Sequence, residues 1–287
     1  MSDREIVYAC RYYAPGSRKS YSNLYLIHPD GTGRKQLTQA RADDTEPQWS
    51  PDGKWIAFWR GTRDLMALSL RTGATKRLYQ MREFWESFHW QDNEWLRLEE
   101  SEKQHRLISV TTGQSKPVPP LPQPDPMKLT LGKHSLTLFN PDNTEVGLPK
   151  LTVDGKPLLL QLASEAQRWL QRTPPHYFEL KTIPRDFKTI LICGYHGGSS
   201  MGHWFGALQV DVTTGKTTNF FEFGTLCLAP DSKRYVTSYF RDLAPLGDKQ
   251  VWVQSLRVGR LDKPGSQEIV KGLAFVQGCD WRGGKRI

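Results

Sequence analysis

The chain has 287 residues, carries a formal net charge of +9 and is 38% hydrophobic. That length suits one large all-β domain with a real core and leaves no room for an added hydrolase or helical domain. No stretch approaches the apolar length that crosses a bilayer, which excludes a helical membrane protein.

Residues 1–5 lead into no apolar run, so no signal peptide is read there and a cytoplasmic location is expected. A strand is predicted over 6–12, running into a basic, Tyr-rich loop, R-Y-Y-A-P-G-S-R-K-S-Y-S, over 11–22. Arg11, Tyr12, Tyr13, Arg18, Lys19 and Tyr21 are candidates there for contact with a protein partner. Arg and Tyr carry interface energy and also stack on bases; the bland alternative is a plain surface loop. Residues 23–27 and 35–38 form a hairpin turning at Asp30-Gly31. Asp43, Asp44 and Glu46 then precede the next strand, where acids tie a leading loop to backbone N–H groups. They are too few for a calcium site.

Residues 46–60, E-P-Q-W-S-P-D-G-K-W-I-A-F-W-R, form the clearest unit. Pro51 presets φ, Asp52-Gly53 suits a tight turn, and the aromatic and β-branched flanks favour strands. Comparable hairpins are predicted at 89–95, 129–139, 178–193, 226–239 and 280–285. A second hairpin type alternates with these, with turn glycines at 31, 73, 113, 155, 215 and 259, spaced by 42, 40, 42, 60 and 44 residues. A period of roughly 40–45 residues with four strands each marks a propeller. The expected fold is therefore all-β: one six-bladed β-propeller of four-stranded antiparallel blades over 1–287. N- and C-terminal strands share one blade, which closes the ring and removes exposed edges.

Between the units, residues 84–90 are dense in aromatics, and most of the ten Trp are expected between blades, which bury both faces. Residues 117–126 hold six prolines and read as a stiff polyproline II connector between the third and fourth blades. A helix is predicted over 163–173, capped by Ser164 and stopped by Pro174-Pro175; it accounts for the 60-residue step. Trp169 on it either fastens the helix to the ring or faces a partner. His196 and His203 flank a Gly-rich bend ending at Trp204. Two imidazoles suit a metal, and a Gly-rich bend suits an anion. Two His make an incomplete site, however, and the loop fits no phosphate-cradling or nucleophile-elbow pattern. No catalytic residue, metal or cofactor is assigned, and the three residues join the partner-contact candidates.

The four cysteines, at 10, 193, 227 and 279, show no metal-binding spacing and are expected as buried reduced thiols, a Cys10–Cys279 latch being the minority alternative. Charge is uneven: +4 over residues 1–41, +6 over 181–287 and −1 over the rest. Ring closure makes the two basic portions neighbours. Arg34, Lys35, Arg257, Arg260, Arg282, Lys285 and Arg286 are thus candidates for an anion-binding sector, against the alternative of solvated, acid-mixed edges.

The run Asn23-Leu24-Tyr25-Leu26, Asp30-Gly31-Thr32, Leu37-Thr38, Trp49-Ser50-Pro51-Asp52-Gly53-Lys54 and Ile56-Ala57-Phe58 resembles the repeat of TolB-like β-propellers. The match is close in the first two blades, partial at 229–233 and 280–285, and faint between about 117 and 176. The resemblance implies six blades and, as the commonest use, binding of partners. The same repeat occurs in propellers attached to peptidase domains and in some polysaccharide-degrading enzymes, so it constrains shape more than chemistry. TolB-like proteins proper carry an extra N-terminal domain, for which no counterpart is expected in this chain, and their best-known members are periplasmic. The leading expectation is a non-enzymatic scaffold whose loops on one rim bind a partner protein. The alternatives are a binder of nucleic acid or another acidic surface through the basic sector, and a metal-dependent hydrolase or lyase using His196 and His203.

Overall fold

The computed structural model describes residues 5–13, 21–81, 87–101, 103–121, 125, 127–139, 148–172, 175, 177–183, 186, 188–195, 206–222, 226–246, 249–263, 265–270 and 274–286. Six antiparallel sheets follow one another along the chain. Blade 1 begins with β1 (Ile6–Tyr12), β2 (Asn23–Ile27) and β3 (Lys35–Gln36); blade 2 is β4 (Asp44–Trp49), β5 (Trp55–Arg60), β6 (Asp64–Ser69) and β7 (Thr75–Gln80). Blade 3 is β8 (Ser87–Trp90), β9 (Trp95–Ser101), β10 (Gln104–Ser109) and β11 (Ser115–Val118); blade 4 is β12 (Lys128–Leu131), β13 (His134–Phe139), β14 (Lys150–Val153) and β15 (Lys156–Leu158). Helix α1 (Ser164–Arg172) precedes blade 5, which is β16 (Tyr177–Thr182), β17 (Thr189–Tyr195), β18 (Gly206–Asp211) and β19 (Thr217–Glu222). Blade 6 is β20 (Leu226–Leu228), β21 (Arg234–Leu246), β22 (Lys249–Arg260) and β23 (Ser266–Val270), followed by β24 (Ala274–Trp281) and β25 (Lys285–Arg286).

The S-P-D-G-K-W turn shows why the repeat folds as it does. Gly53 takes φ 67°, a left-handed conformation that suits glycine. The Ser50 hydroxyl accepts the N–H groups of Lys54 (3.1 Å) and Trp55 (2.9 Å), and Asp52 Oδ1 accepts that of Lys54 (3.1 Å). Every residue of the motif thus has a task at the corner, and the aromatic run beyond it is free to enter the sheet.

Closure follows the expected route. β24 pairs antiparallel with β1, setting Ile6 opposite Trp281 and Tyr12 opposite Ala274, with a bulge between Tyr8 and Cys10. The hairpin predicted at 280–285 does not form within that blade. The chain instead crosses to blade 6, where β25 pairs with β20 and makes that sheet five-stranded.

Two smaller expectations also change. Gly259 is no turn glycine but lies inside β22 opposite Tyr235, where an added Cβ would collide with the tyrosine ring; the turn glycine is Gly265, at φ 88°. Pro117 belongs to the outer strand β11, opposite Arg106, rather than to the connector. An edge strand tolerates proline because no further neighbour needs its N–H.

The core is divided among the spaces between blades. Separate buried clusters join blades 1 and 6, 1 and 2, 2 and 3, 4 and 5, and 5 and 6. Each large apolar side chain buried in them contributes about 1.5–3 kcal/mol. Among the described residues no buried cluster joins blades 3 and 4. All four cysteines are buried.

Candidate functional site

Antiparallel order sorts the connections onto two rims. At one rim, here the loop rim, strands β1, β11, β13, β15 and β17 end. The opposite rim, here the turn rim, holds the short corners at 51–54, 70–74, 91–94, 110–114, 132–133 and 154–155.

The two candidate sets enter from different rims and meet where Arg34 lies over the Tyr12 ring. Arg11, Tyr12, Tyr13, Tyr21 and Trp169 stand at the loop rim, whereas Arg34, Lys35, Arg260 and Arg282 stand towards the turn rim. Arg18, Lys19, His196, His203 and Trp204 lie outside the described residues. Arg257 sits in mid-β22, and Lys285 and Arg286 are placed as backbone in β25.

Several candidates turn out to be engaged internally. Arg11 donates to both oxygens of Asp43 at 2.8 Å, and Asp43 Oδ1 also accepts the Ser22 N–H at 2.7 Å, which joins blades 1 and 2. The neighbouring Asp44 is fully buried and held by Arg60 at 2.7 and 3.0 Å. The acids at 43–44 are therefore structural ties, Asp43 to a backbone N–H as expected and Asp44 to an arginine side chain instead. Tyr12 shares a 2.7 Å hydrogen bond with Tyr8, sets its ring edge-on to Tyr25 and carries Arg34 over its face at 5.1 Å. Burial pushes the Tyr12 hydroxyl up to about 12, and the hydrogen bond to Tyr12 raises Arg34.

Trp169 is 3% exposed. Its ring packs on Phe220 and fills the space above Gly194 and Gly206, so it fastens α1 to blade 5 and offers no outward face. The proposed basic sector is also partly neutralised. Arg260 pairs with Asp262 at 2.6 Å, and Arg282 pairs with Glu5 at 2.9 Å while lying over Trp49 at 5.2 Å. Arg34 and Lys35 are exposed at the outer edge of blade 1.

What stands open at the loop rim was missed from sequence. Leu121, Phe139, Leu148, Leu159 and Tyr177 are the exposed large apolar side chains of the described residues, Leu159 reaching 81%. Phe139 ends β13, Leu148 precedes β14, Leu159 follows β15 and Tyr177 opens β16; Leu121 lies in the connection to β12. All five therefore sit on the loop rim around blade 4. A lone Leu or Phe beside a strand looks the same as a core residue in sequence, and only the strand directions bring these together. Among the described residues no three His, Cys, Asp or Glu gather as a metal site, and no helix is long and apolar enough to cross a membrane.

No family model matches the chain. Curated proteins match over short stretches. A TolB homologue of Chlorobium luteolum is 41% identical over 57 residues, 19% of this chain and 13% of its own length. Dipeptidyl-peptidase 5 of Porphyromonas gingivalis is 38% identical over 52 residues, 18% of this chain and 8% of its own. Among solved structures, TolB from Acinetobacter baumannii aligns over 97% of this chain and 66% of its own, with a TM-score of 0.50 and 18% identity. The AtxE2 isopeptidase S527A variant with bound Astexin3-dC4 aligns over 93% of this chain and 49% of its own, with a TM-score of 0.57 and 12% identity. The chain thus spans about half to two thirds of these structures and a small part of the curated relatives, so what is shared is the propeller. The chain is related to the TolB-like β-propellers.

Proposed function

We propose that the protein is a non-enzymatic scaffold whose loop rim docks a partner protein over blade 4. The observation that carries this reading is the gathering of Leu121, Phe139, Leu148, Leu159 and Tyr177 on one rim of one sector. Scattered surface leucines mean little, but a collected apolar set bordered by polar groups marks an interaction surface. The exposed Lys128 and Lys150 border the set, which suits a partner with an apolar ridge and acidic flanks.

The test is capture of partners by the tagged chain and by a Phe139→Ser/Leu159→Ser variant, in the cells that make the protein. Both positions are exposed, so the variant should keep the wild-type unfolding midpoint. The expected result is one stoichiometric partner on the wild type and at least about tenfold less on the variant. Equal capture by both proteins, or turnover of a substrate by the isolated chain, would overturn the reading.

A further inference from the structure

The turn rim holds a groove of about 700 Å³ in blade 2, between the corner leading from β4 to β5 and the corner leading from β6 to β7. That is the size of a small-molecule site. Trp55, Leu70 and Ala74 line it, together with Lys54, Arg71 and Lys76; Arg282 of the closing blade completes one wall and Asp52 is its one carboxylate.

Blade 3 has the same two corners, and its side chains differ from those of blade 2 at the point that matters. Trp55 lies opposite Ser69 as Trp95 lies opposite Ser109. The Leu70 N–H bonds to the Lys54 carbonyl as the Val110 N–H bonds to the Glu94 carbonyl. Lys76 stands over Trp55 at 5.3 Å as Lys116 stands over Trp95 at 4.7 Å. In blade 3 the Glu94 carboxylate ties the corners, accepting from the Ser109 hydroxyl at 3.0 Å and the Thr111 hydroxyl at 2.7 Å. In blade 2 the position of Glu94 is Lys54 and that of Thr111 is Arg71. Two cations now stand where blade 3 has an acid and a hydroxyl, and Lys54 pairs with Asp52 instead of tying the corners, so the place of the Glu94 carboxylate is left to an outside group.

We propose that this groove binds an organic carboxylate carried on a flat apolar body. The carboxylate takes the place that Glu94 fills in blade 3, beside Ser69 and between Lys54 and Arg71, while the body lies along Trp55 and Leu70. Two of the four cations already have partners: Lys54 pairs with Asp52 at 3.1 Å and Arg282 with Glu5 at 2.9 Å. Arg71 and Lys76 have no carboxylate partner among the described residues. Lys76 donates to the Thr111 carbonyl at 2.8 Å, and burial lowers its pKa, so it is a partly desolvated cation without a counter-charge. A bound carboxylate supplies that charge. The groove lies on the rim opposite the partner-docking surface, so the two readings stand or fall separately.

Calorimetric titration of the full chain tests the proposal with 2-naphthoate, its neutral isostere 2-naphthamide, and a short peptide ending in phenylalanine with a free carboxylate. The expected result is binding of at least one carboxylate, with the amide at least about tenfold weaker. Tighter binding of naphthoate names free small carboxylates as the source, and tighter binding of the peptide names chain termini. Lys54→Glu, and Lys54→Glu with Arg71→Thr, rebuild the blade 3 arrangement and should abolish binding at an unchanged unfolding midpoint. Lys116→Gln should leave binding as it is. Equal affinity for naphthoate and naphthamide, unaltered binding by the Lys54→Glu variant, or no binding of either carboxylate at millimolar concentration would overturn the proposal.

Discussion

Gly206 owes its place to the Trp169 indole, and Gly194 to that indole together with Pro175. A Cβ on Gly206 would stand 2.6 Å from the Trp169 ring, and one on Gly194 would stand 2.8 Å from it. Neither ring nor strand has room to yield, since Trp169 is also braced by Phe220. Gly206→Ala should therefore destabilise the protein by about 1–3 kcal/mol, the usual range for overpacking, measured as a lower midpoint in urea. A second residue-scale expectation concerns the thiols. Burial pushes Cys10 and Cys193 up to about 12, and all four cysteines are enclosed. Iodoacetamide at pH 8 should modify none of them in the native protein and all four in guanidinium, read by intact mass. Rapid native labelling would mean that the closing blade opens readily. At this scale the sequence was partly legible. The thiols were expected inside from the apolar strands around them. The role of Trp169 was left open, because the glycines that receive it lie 25 and 37 positions away. The same limit hid Tyr235 from the reading of Gly259: a glycine in a strand signals a close approach but not what approaches.

At the scale of elements, the joints between blades carry the argument. The Asp280 side chain sits in β24 of blade 1 and accepts the Trp49 N–H of blade 2 at 2.7 Å, while Arg282 beyond it reaches the Gly53 carbonyl at 3.3 Å. The strand that closes the ring on one side thus also ties it to the blade on the other. Asp280→Ala would leave the buried Trp49 N–H without this acceptor, a loss of about 1–3 kcal/mol, whereas Arg282→Ala should cost under about 1 kcal/mol because its ion pair is partly exposed. Equilibrium unfolding of both variants checks the order; an equal loss would show that the arginine, not the acid, holds the joint. The shared blade was legible because both chain ends showed an incomplete unit. The crossing of β25 to β20 was not, since the motif at 280–285 reads as a local hairpin and its pairing partner lies more than 50 positions away in the sequence.

For the whole molecule, the five core clusters form a continuous chain of contacts from blade 3 through blades 2, 1, 6 and 5 to blade 4, and among the described residues the junction between blades 3 and 4 has no shared apolar core. The registers explain it. Leu129, Leu136 and Val153 align on one face of blade 4 and pack towards blade 5. The alternate residues Lys128, Thr130, Ser135 and Lys150 are exposed on the other. In blade 3, Leu96, Leu98 and Ile108 pack towards blade 2, while the alternate positions carry Arg97, His105, His89 and Glu99. Arg97 is held by the Pro119 carbonyl at 2.9 Å and lies 3.4 Å from His105 Nδ1. This polar junction coincides with the stretch where the repeat is faintest, and both have one cause: a blade that does not pack on its neighbour need not keep the repeat's apolar alternation. Two consequences follow for measurement. Amides of β12 and β13 should exchange with deuterium before those of β1, β5 and β17, because less apolar surface must be exposed to free them. The junction should also respond to acid. His89 lies 3.6 Å from Glu99, yet its pKa is lowered, chiefly by burial, with Arg97 and His105 acting in the same direction and Glu99 against. An unfolded chain takes up that proton near the ordinary histidine value, and the folded one only at lower pH. Stability therefore falls as pH drops below about 6.5, where the unfolded state binds more protons. His89→Gln removes that term, so the gap between wild type and variant should widen in favour of the variant between neutral pH and about pH 5.5, with the faster exchange confined to blades 3 and 4. A constant gap across that range would show that the histidine has no part in holding the junction.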